Sequence, residues 1–182
     1  MKGKSGKLRK ESIGDRLIGS QEIFRELVLE HQSMVFSIAL RVVGDRSSAE
    51  EVAQDVFLEL HAKLPDLESP GHVLFWLRRV TAHRAIDLAR KRARRPEESF
   101  DPNELPELAI DDDPGDPLLS RQLQQLIASL PTMQRTVIVL RYQEDLSPEE
   151  IAATLSMPVA TVKSHLQRTL RLLREKAARV LK

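Results

Sequence analysis

The sequence predicts an all-α protein: two small helical domains joined by an acidic Pro-rich linker, the second a four-helix domain containing a helix-turn-helix. Three observations carry this. Ala and Leu are plentiful, while aromatic residues make up only 4% of the 182 positions and Gly numbers seven, a balance that favours helices. Apolar residues recur near the 3.6-residue period on both sides of the middle of the chain. Between Pro96 and Pro117 that period stops. Pro96, Pro102, Pro106, Pro114 and Pro117 stand there among Glu97, Glu98, Asp101, Glu104, Glu107, Asp111, Asp112, Asp113 and Asp116, with no Lys or Arg. Proline breaks helices and like charges extend a chain. The expected division is therefore a helical domain over 18–95, a linker over 96–116, and a second helical domain over 117–182.

Each element has its own signal. From Ile23 to Val43, Phe24, Leu27, Val28, Met34, Val35, Ile38, Ala39 and Val42 mark one amphipathic helix or two, and Gly44-Asp45 interrupts them. Ser47-Ser48-Ala49-Glu50 has the Ser-x-x-Glu form of a capping box, opening a helix with Val52, Val56, Leu60 and Leu64 on one face. Pro65 to Gly71 reads as a loop. A third helix is expected from about Val73 to Arg94, with Leu77, Val80, Ala85, Ile86 and Leu88 as its apolar side. Beyond the linker, Leu119, Leu123, Leu126, Ile127 and Leu130 mark a helix over 118–130. Pro131 suits the first turn of the next, which contains Val137, Ile138 and Leu140. Ser147-Pro148-Glu149-Glu150 then combines an N-cap, a first-turn proline and a capping-box Glu.

Composition excludes several classes of chemistry. Cys is absent, which removes disulfides, thiolate metal sites and cysteine nucleophiles and suits a reducing compartment. No apolar run approaches the roughly 20 residues needed to span a bilayer, and the basic Met1–Lys7 start lacks the apolar stretch of a secretion signal. A cytoplasmic chain without membrane insertion is expected. The five His (His31, His61, His72, His83 and His165) have no metal-ligand spacing, and there is no Gly-rich phosphate loop. The acids of the linker are interrupted by prolines and lack the fixed geometry acid–base chemistry needs. The expectation is a binding protein with no cofactor and no metal, not an enzyme.

What it binds is written in the local charge. Net charge is only +1, yet Arg78, Arg79, Arg84, Arg90, Lys91, Arg92, Arg94 and Arg95 fall in one helix against the single acid Asp87. Near the C-terminus, Ser147–Ala152, the turn Leu155-Ser156-Met157-Pro158-Val159, and Thr161–Leu166 have the form of a helix-turn-helix whose second helix could enter a DNA major groove. That last helix is expected from about Val159 to Val180. Val159, Val162, Leu166, Leu170 and Leu173 are spaced 3, 4, 4 and 3, so they face the core. Thr161, Lys163, Ser164, Gln167, Arg168, Arg171 and Arg174 are left outward, where Lys and Arg suit guanine edges or phosphates and Gln and Ser suit base edges or backbone. A free-standing helix-turn-helix regulator is the other reading of these residues, but it gives the Arg-rich helix no task.

Taken together, three segments resemble the bacterial RNA polymerase sigma factors of the extracytoplasmic-function type, in the sigma-seventy family. Ser48-Ala49-Glu50-Glu51-Val52-Ala53-Gln54-Asp55-Val56-Phe57-Leu58 is similar to the family's region 2.1–2.2. Phe75-Trp76-Leu77-Arg78-Arg79-Val80 through Asp87 to Arg95 is similar to regions 2.3–2.4. Leu130-Pro131-x-x-Gln134-Arg135-x-x-x-x-Leu140-Arg141 and the helix-turn-helix after it resemble region 4. The resemblance implies a factor that binds core RNA polymerase, through the β′ coiled coil and the β flap, and directs promoter recognition, −10 melting and initiation. It implies Glu51, Gln54 and Asp55 for polymerase, with Asp45 nearby; Arg79, His83, Arg84, Arg90 and Lys91 for the −10 element; and Arg141, Thr161, Lys163, Ser164, Gln167 and Arg168 for the −35 element. It also implies a monomer when free, and it allows an anti-sigma protein as a further partner. Phe57 and Trp76 read more readily as core than as contacts. Three departures stand out: His83 where the family often has Asn, Ser156 where the turn commonly has Gly, and His165 where Arg is frequent.

Overall fold

In a computed structural model, residues 13–94 and 125–180 are described, with side chains from 21 to 177 outside the intervening stretch. Six named helices follow in order: α1 (Ile13–Val43), α2 (Arg46–Lys63), α3 (Pro70–Ala93), α4 (Thr132–Tyr142), α5 (Pro148–Leu155) and α6 (Val159–Val180). A 3₁₀ turn, Leu64–Asp66, links α2 to α3, and a short helical stretch at 125–128 precedes α4. The fold is all-α. The expected linker, and 118–124 of the helix expected after it, lie outside the described residues.

Local chemistry sets the helix ends. Gly44 closes α1 at φ 93°, a conformation that costs Gly little and other residues more. The start of α2 corrects the sequence reading. Its N-cap is Asp45, whose carboxylate accepts from Ser48 N at 2.9 Å, and not Ser47. Asp caps as well as Ser, and its charge suits the positive end of the helix dipole. Glu50, left without a capping role, pairs with Arg46 at 2.8 Å. Helix α3 begins earlier than expected, at Pro70, because Ser69 caps it by accepting from His72 N at 3.2 Å. Pro131 sits one position before α4, as its N-cap. The capping box of Ser147 and Glu150 forms in both directions, at 3.2 and 2.7 Å.

Helix α5 ends in a left-handed residue, Ser156, at φ 53° and ψ 45°. Met157 N donates to Ala152 O at 3.0 Å and Ser156 N to Ala153 O at 3.4 Å, the paired bonds of a Schellman turn. This turn aims α6 away from α5, and a Cβ-bearing residue holds it under strain.

The two halves share one apolar core. Val35, Ala39 and Val42 of α1, Val52, Val56 and Leu60 of α2, and Leu77, Ala85 and Ile86 of α3 are buried together. Val137 and Leu140 of α4, Ile151 and Leu155 of α5, and Val162 of α6 belong to the same cluster. Helix α1 packs against α4, and α3 packs against both α4 and α5. Thr81, Thr136 and Thr169 are fully buried in these contacts, each hydroxyl donating to the carbonyl four residues back at 2.7–2.9 Å.

Arg135 joins the halves from the second side. Its guanidinium donates to Val42 O at the end of α1 at 2.9 Å and to Leu130 O at 3.0 Å. Burial lowers its pKa from the usual guanidinium value, without bringing it near neutrality. Gln134 and Arg135 were legible as a motif, but this bridging role was not.

Two outcomes follow for stability. Ser156→Gly should raise stability by roughly 0.5–1 kcal/mol by relieving the left-handed strain, read as a higher urea midpoint with unchanged slope. Glu150 has a pKa below its usual 4.5, first through the Ser147 backbone N–H and then through its hydroxyl. Its contribution is therefore fully present above pH 4.5 and is lost as pH falls through the depressed value. Glu150→Gln should flatten that part of the acid stability profile.

Candidate nucleic-acid interface

Helix α6 presents the arrangement its spacing predicts. Val162 is fully buried and Leu166 is packed on the core, while Thr161, Lys163, Gln167, Arg168, Arg171 and Arg174 are exposed and Ser164 is half-buried. The exposed groups form one ridge because positions three and four apart lie above one another on a helix. Lys163 pairs with Glu149 at 3.2 Å. The Glu149 carboxylate is held below its usual value, first by its own backbone N–H and then by Lys163. Both side chains are well exposed, so this pair is weak and Lys163 can exchange Glu149 for a phosphate. His165 points the other way: its Nδ1 is buried and without a hydrogen-bond partner. The position that often carries an Arg in relatives of the resembled family is therefore turned into the domain here.

Arg141 stands at the end of α4, where its Nη1 donates to Leu146 O at 3.0 Å. Its guanidinium has five N–H donors, so one carbonyl leaves several for a phosphate. Tyr142 beside it is 62% exposed, and Arg141 lies 6.0 Å from the ring centroid. Tyr142 was not singled out from the sequence.

The Arg-rich face of α3 is arranged differently from its reading as a free basic surface. Arg78 Nε donates to Glu144 at 3.0 Å, and the two side chains are only 21% and 7% exposed. Arg79 Nη1 donates to Ala153 O at 3.3 Å, and His83 Nε2 lies 3.2 Å from Thr154 O. Both carbonyls belong to the last turn of α5. Arg84 is engaged on the other side: its Nη2 bonds Glu59 at 2.6 Å and its Nη1 bonds Asp55 at 3.0 Å. The hydrogen bond to Glu59, against some desolvation, raises the Arg84 pKa. Arg90 and Lys91 are exposed at the far end of α3. Arg92 pairs with Asp45, the cap of α2.

The three residues implied for polymerase fall on two neighbouring grooves. Glu51 and Asp55 line one between α2 and α3, together with Arg84 and Lys91. Gln54 lines another between α1 and α2, together with Phe36, Arg46 and Phe57. Phe57 is partly buried on the core. Trp76 is also packed on the core, and Phe75 beside it is 39% exposed, so Phe75 is the better-placed ring for stacking on a base. Among the described residues, no helix is long and apolar enough to cross a membrane, and no His, Asp and Glu side chains are grouped to hold a metal ion.

Residues 27–95 match the family described as Sigma-70 region 2, and residues 120–173 match Sigma-70, region 4. The chain is 34% identical over 160 residues to the ECF RNA polymerase sigma factor SigE of Mycolicibacterium smegmatis, covering 85% of this chain and 61% of that protein. It is 34% identical to the RNA polymerase sigma-E factor of Streptomyces coelicolor, covering 84% of each. Among solved structures, the sigma factor RpoE of Bartonella quintana, in complex with the anti-sigma factor NepR, superposes with a TM-score of 0.67 at 22% identity, over 85% of this chain and 96% of that one. At that identity the likeness concerns the fold.

If Arg168 reads a base edge, Arg168→Ala should weaken use of a promoter by about 1–3 kcal/mol. Unchanged run-off transcription from every promoter the protein uses would contradict that role.

Proposed function

The chain belongs to the extracytoplasmic-function sigma factors of the sigma-70 family, which direct promoter-specific transcription initiation with RNA polymerase, and from this we propose how its two halves divide that work. The first half, 18–95, engages core polymerase and the −10 element. The second, 117–182, reads the −35 element, and 96–116 joins them. The observation that carries the reading is the ridge on α6, whose polar groups stand clear of solvent-excluding contacts while its apolar stripe is buried.

On this reading α6 lies in the major groove of duplex DNA. Lys163 and Arg168 supply the charge, Thr161, Ser164 and Gln167 supply hydrogen bonds, and Arg141 holds a flanking phosphate. Helix α3 meets DNA that is being opened. Arg79, Arg84, Arg90 and Lys91 hold backbone phosphates, His83 bonds a base or phosphate, and Phe75 is available to an unstacked base at a cost of a few kcal/mol of unstacking. Glu51, Gln54 and Asp55 dock on the β′ coiled coil, and the second half meets the β flap. A linker of about 20 residues reaches up to about 65 Å when extended, enough to separate two promoter elements. The protein works in the cytoplasm as a regulatory subunit, without catalysis or cofactor of its own, as a monomer when free. An anti-sigma partner is part of this proposal, since the structural relative was solved with one.

The test is co-purification with core polymerase, then run-off transcription and start-site mapping. Polymerase-dependent starts downstream of two conserved sequence blocks are expected. Tight specific duplex binding by the chain alone, with no effect on polymerase, would sink the reading. Glu51→Arg should lower affinity for core polymerase about tenfold or more through reversed charge, measured by fluorescence anisotropy, while leaving the thermal midpoint near that of the parent, since Glu51 is exposed.

A further inference from the structure

We propose that the helix-turn-helix half is an intramolecular lid over the α3 face: the free chain is closed, and polymerase opens it. This rests on the promoter reading above, because it concerns residues that reading assigns to the −10 element.

The geometry is specific. Arg79 and His83 spend hydrogen bonds on Ala153 O and Thr154 O, in the last turn of α5. The final carbonyls of a helix have no partner within it and carry partial negative charge. Beside them, the Glu144 carboxylate sits on Arg78 and is 7% exposed. Carbonyl ends and a carboxylate present to α3 what a DNA backbone presents: closely spaced oxygens of negative character. The donors that hold them are the ones a phosphate would need, so closure and DNA binding on this face exclude one another. Arg41 adds a second positive charge near Glu144, which opposes the lowering of its pKa by burial.

The contact is also built to open as a unit. Glu144 lies between α4 and α5, and Arg135 of α4 holds Val42 O on the opposite side. Lifting the second half therefore breaks the Arg78, Arg79, His83 and Arg135 contacts together. Every one of these polar bonds can be replaced by water, phosphate or polymerase. A partner that binds only the open form has its apparent affinity reduced by the open fraction, and weakening the latch returns that affinity.

The absence of Cys allows a direct test. Asp87→Cys on α3 and Ala160→Cys on α6, both at exposed positions, would carry a dye pair on the full chain for single-molecule energy transfer. One high-transfer population is expected for the free chain, falling to low transfer when core polymerase is added. Glu144→Gln, and separately Arg78→Gln, should move part of the free population to low transfer and tighten the apparent polymerase affinity about threefold or more. Low transfer in the free chain would overturn closure. Transfer unchanged in a chain that co-migrates with polymerase would overturn the opening step, and insensitivity to both variants would overturn the latch. Failure to co-migrate would defeat the promoter reading and the opening step together, while the free-chain transfer still decides closure alone.

Discussion

The packing of α3 against the last turn of α5 is the contact on which the rest of the structure depends. It fixes which face of α3 is covered, which way α6 projects, and how the cores of the two halves fuse. Its apolar part is continuous from Val35 and Leu77 to Ile151 and Val162. Its polar part is concentrated in Arg78 on Glu144, with Arg79 and His83 on α5 carbonyls. A buried ion pair adds little to stability against an apolar replacement, but losing one partner leaves an uncompensated charge and is strongly unfavourable. The pair therefore selects one arrangement of the halves more than it strengthens the fold.

The cations of α3 thereby fall into three groups by neighbour. Arg78, Arg79 and His83 face α5 and the loop before it. Arg84 and Arg92 face α2, through Asp55, Glu59 and Asp45. Arg90 and Lys91 face solvent. A helix that looks uniformly basic in sequence is thus neutralised over most of its length, and a DNA phosphate must compete for each donor except those at the exposed end. The recognition ridge on α6 is different, since its one ion pair, Lys163 with Glu149, is exposed on both sides and weak.

What the sequence made legible was local. The bounds of α6 coincide with the 3.6-residue stripe from Val159 onward, and the Ser147–Glu150 box formed because its four residues contain both partners of both bonds. The left-handed Ser156 was also readable, since the turn demanded a positive φ wherever Gly was missing. The start of α2 was misread because Asp45 and Ser47 are both good caps two residues apart, and only the conformation set by Gly44 chooses between them. The pairing of Asp55 and Glu59 with Arg84, 29 and 25 residues apart, is invisible to periodicity. So is Glu144 on Arg78, at a separation of 66. Long-range partners decide whether a charged side chain is free for a ligand, and here they decided it against Arg84 and the middle of α3.

The central claim is that one chain touches a promoter at two separated points, through α6 and through α3. A cleavage reagent tethered in turn to Cys at Ala160 and Cys at Asp87, in the complex with polymerase and promoter DNA, tests it most directly. The account predicts cuts in upstream duplex from the α6 position and cuts near the transcription start from the α3 position. Cuts at one shared locus from both positions would contradict it and would leave the chain a single-site DNA binder.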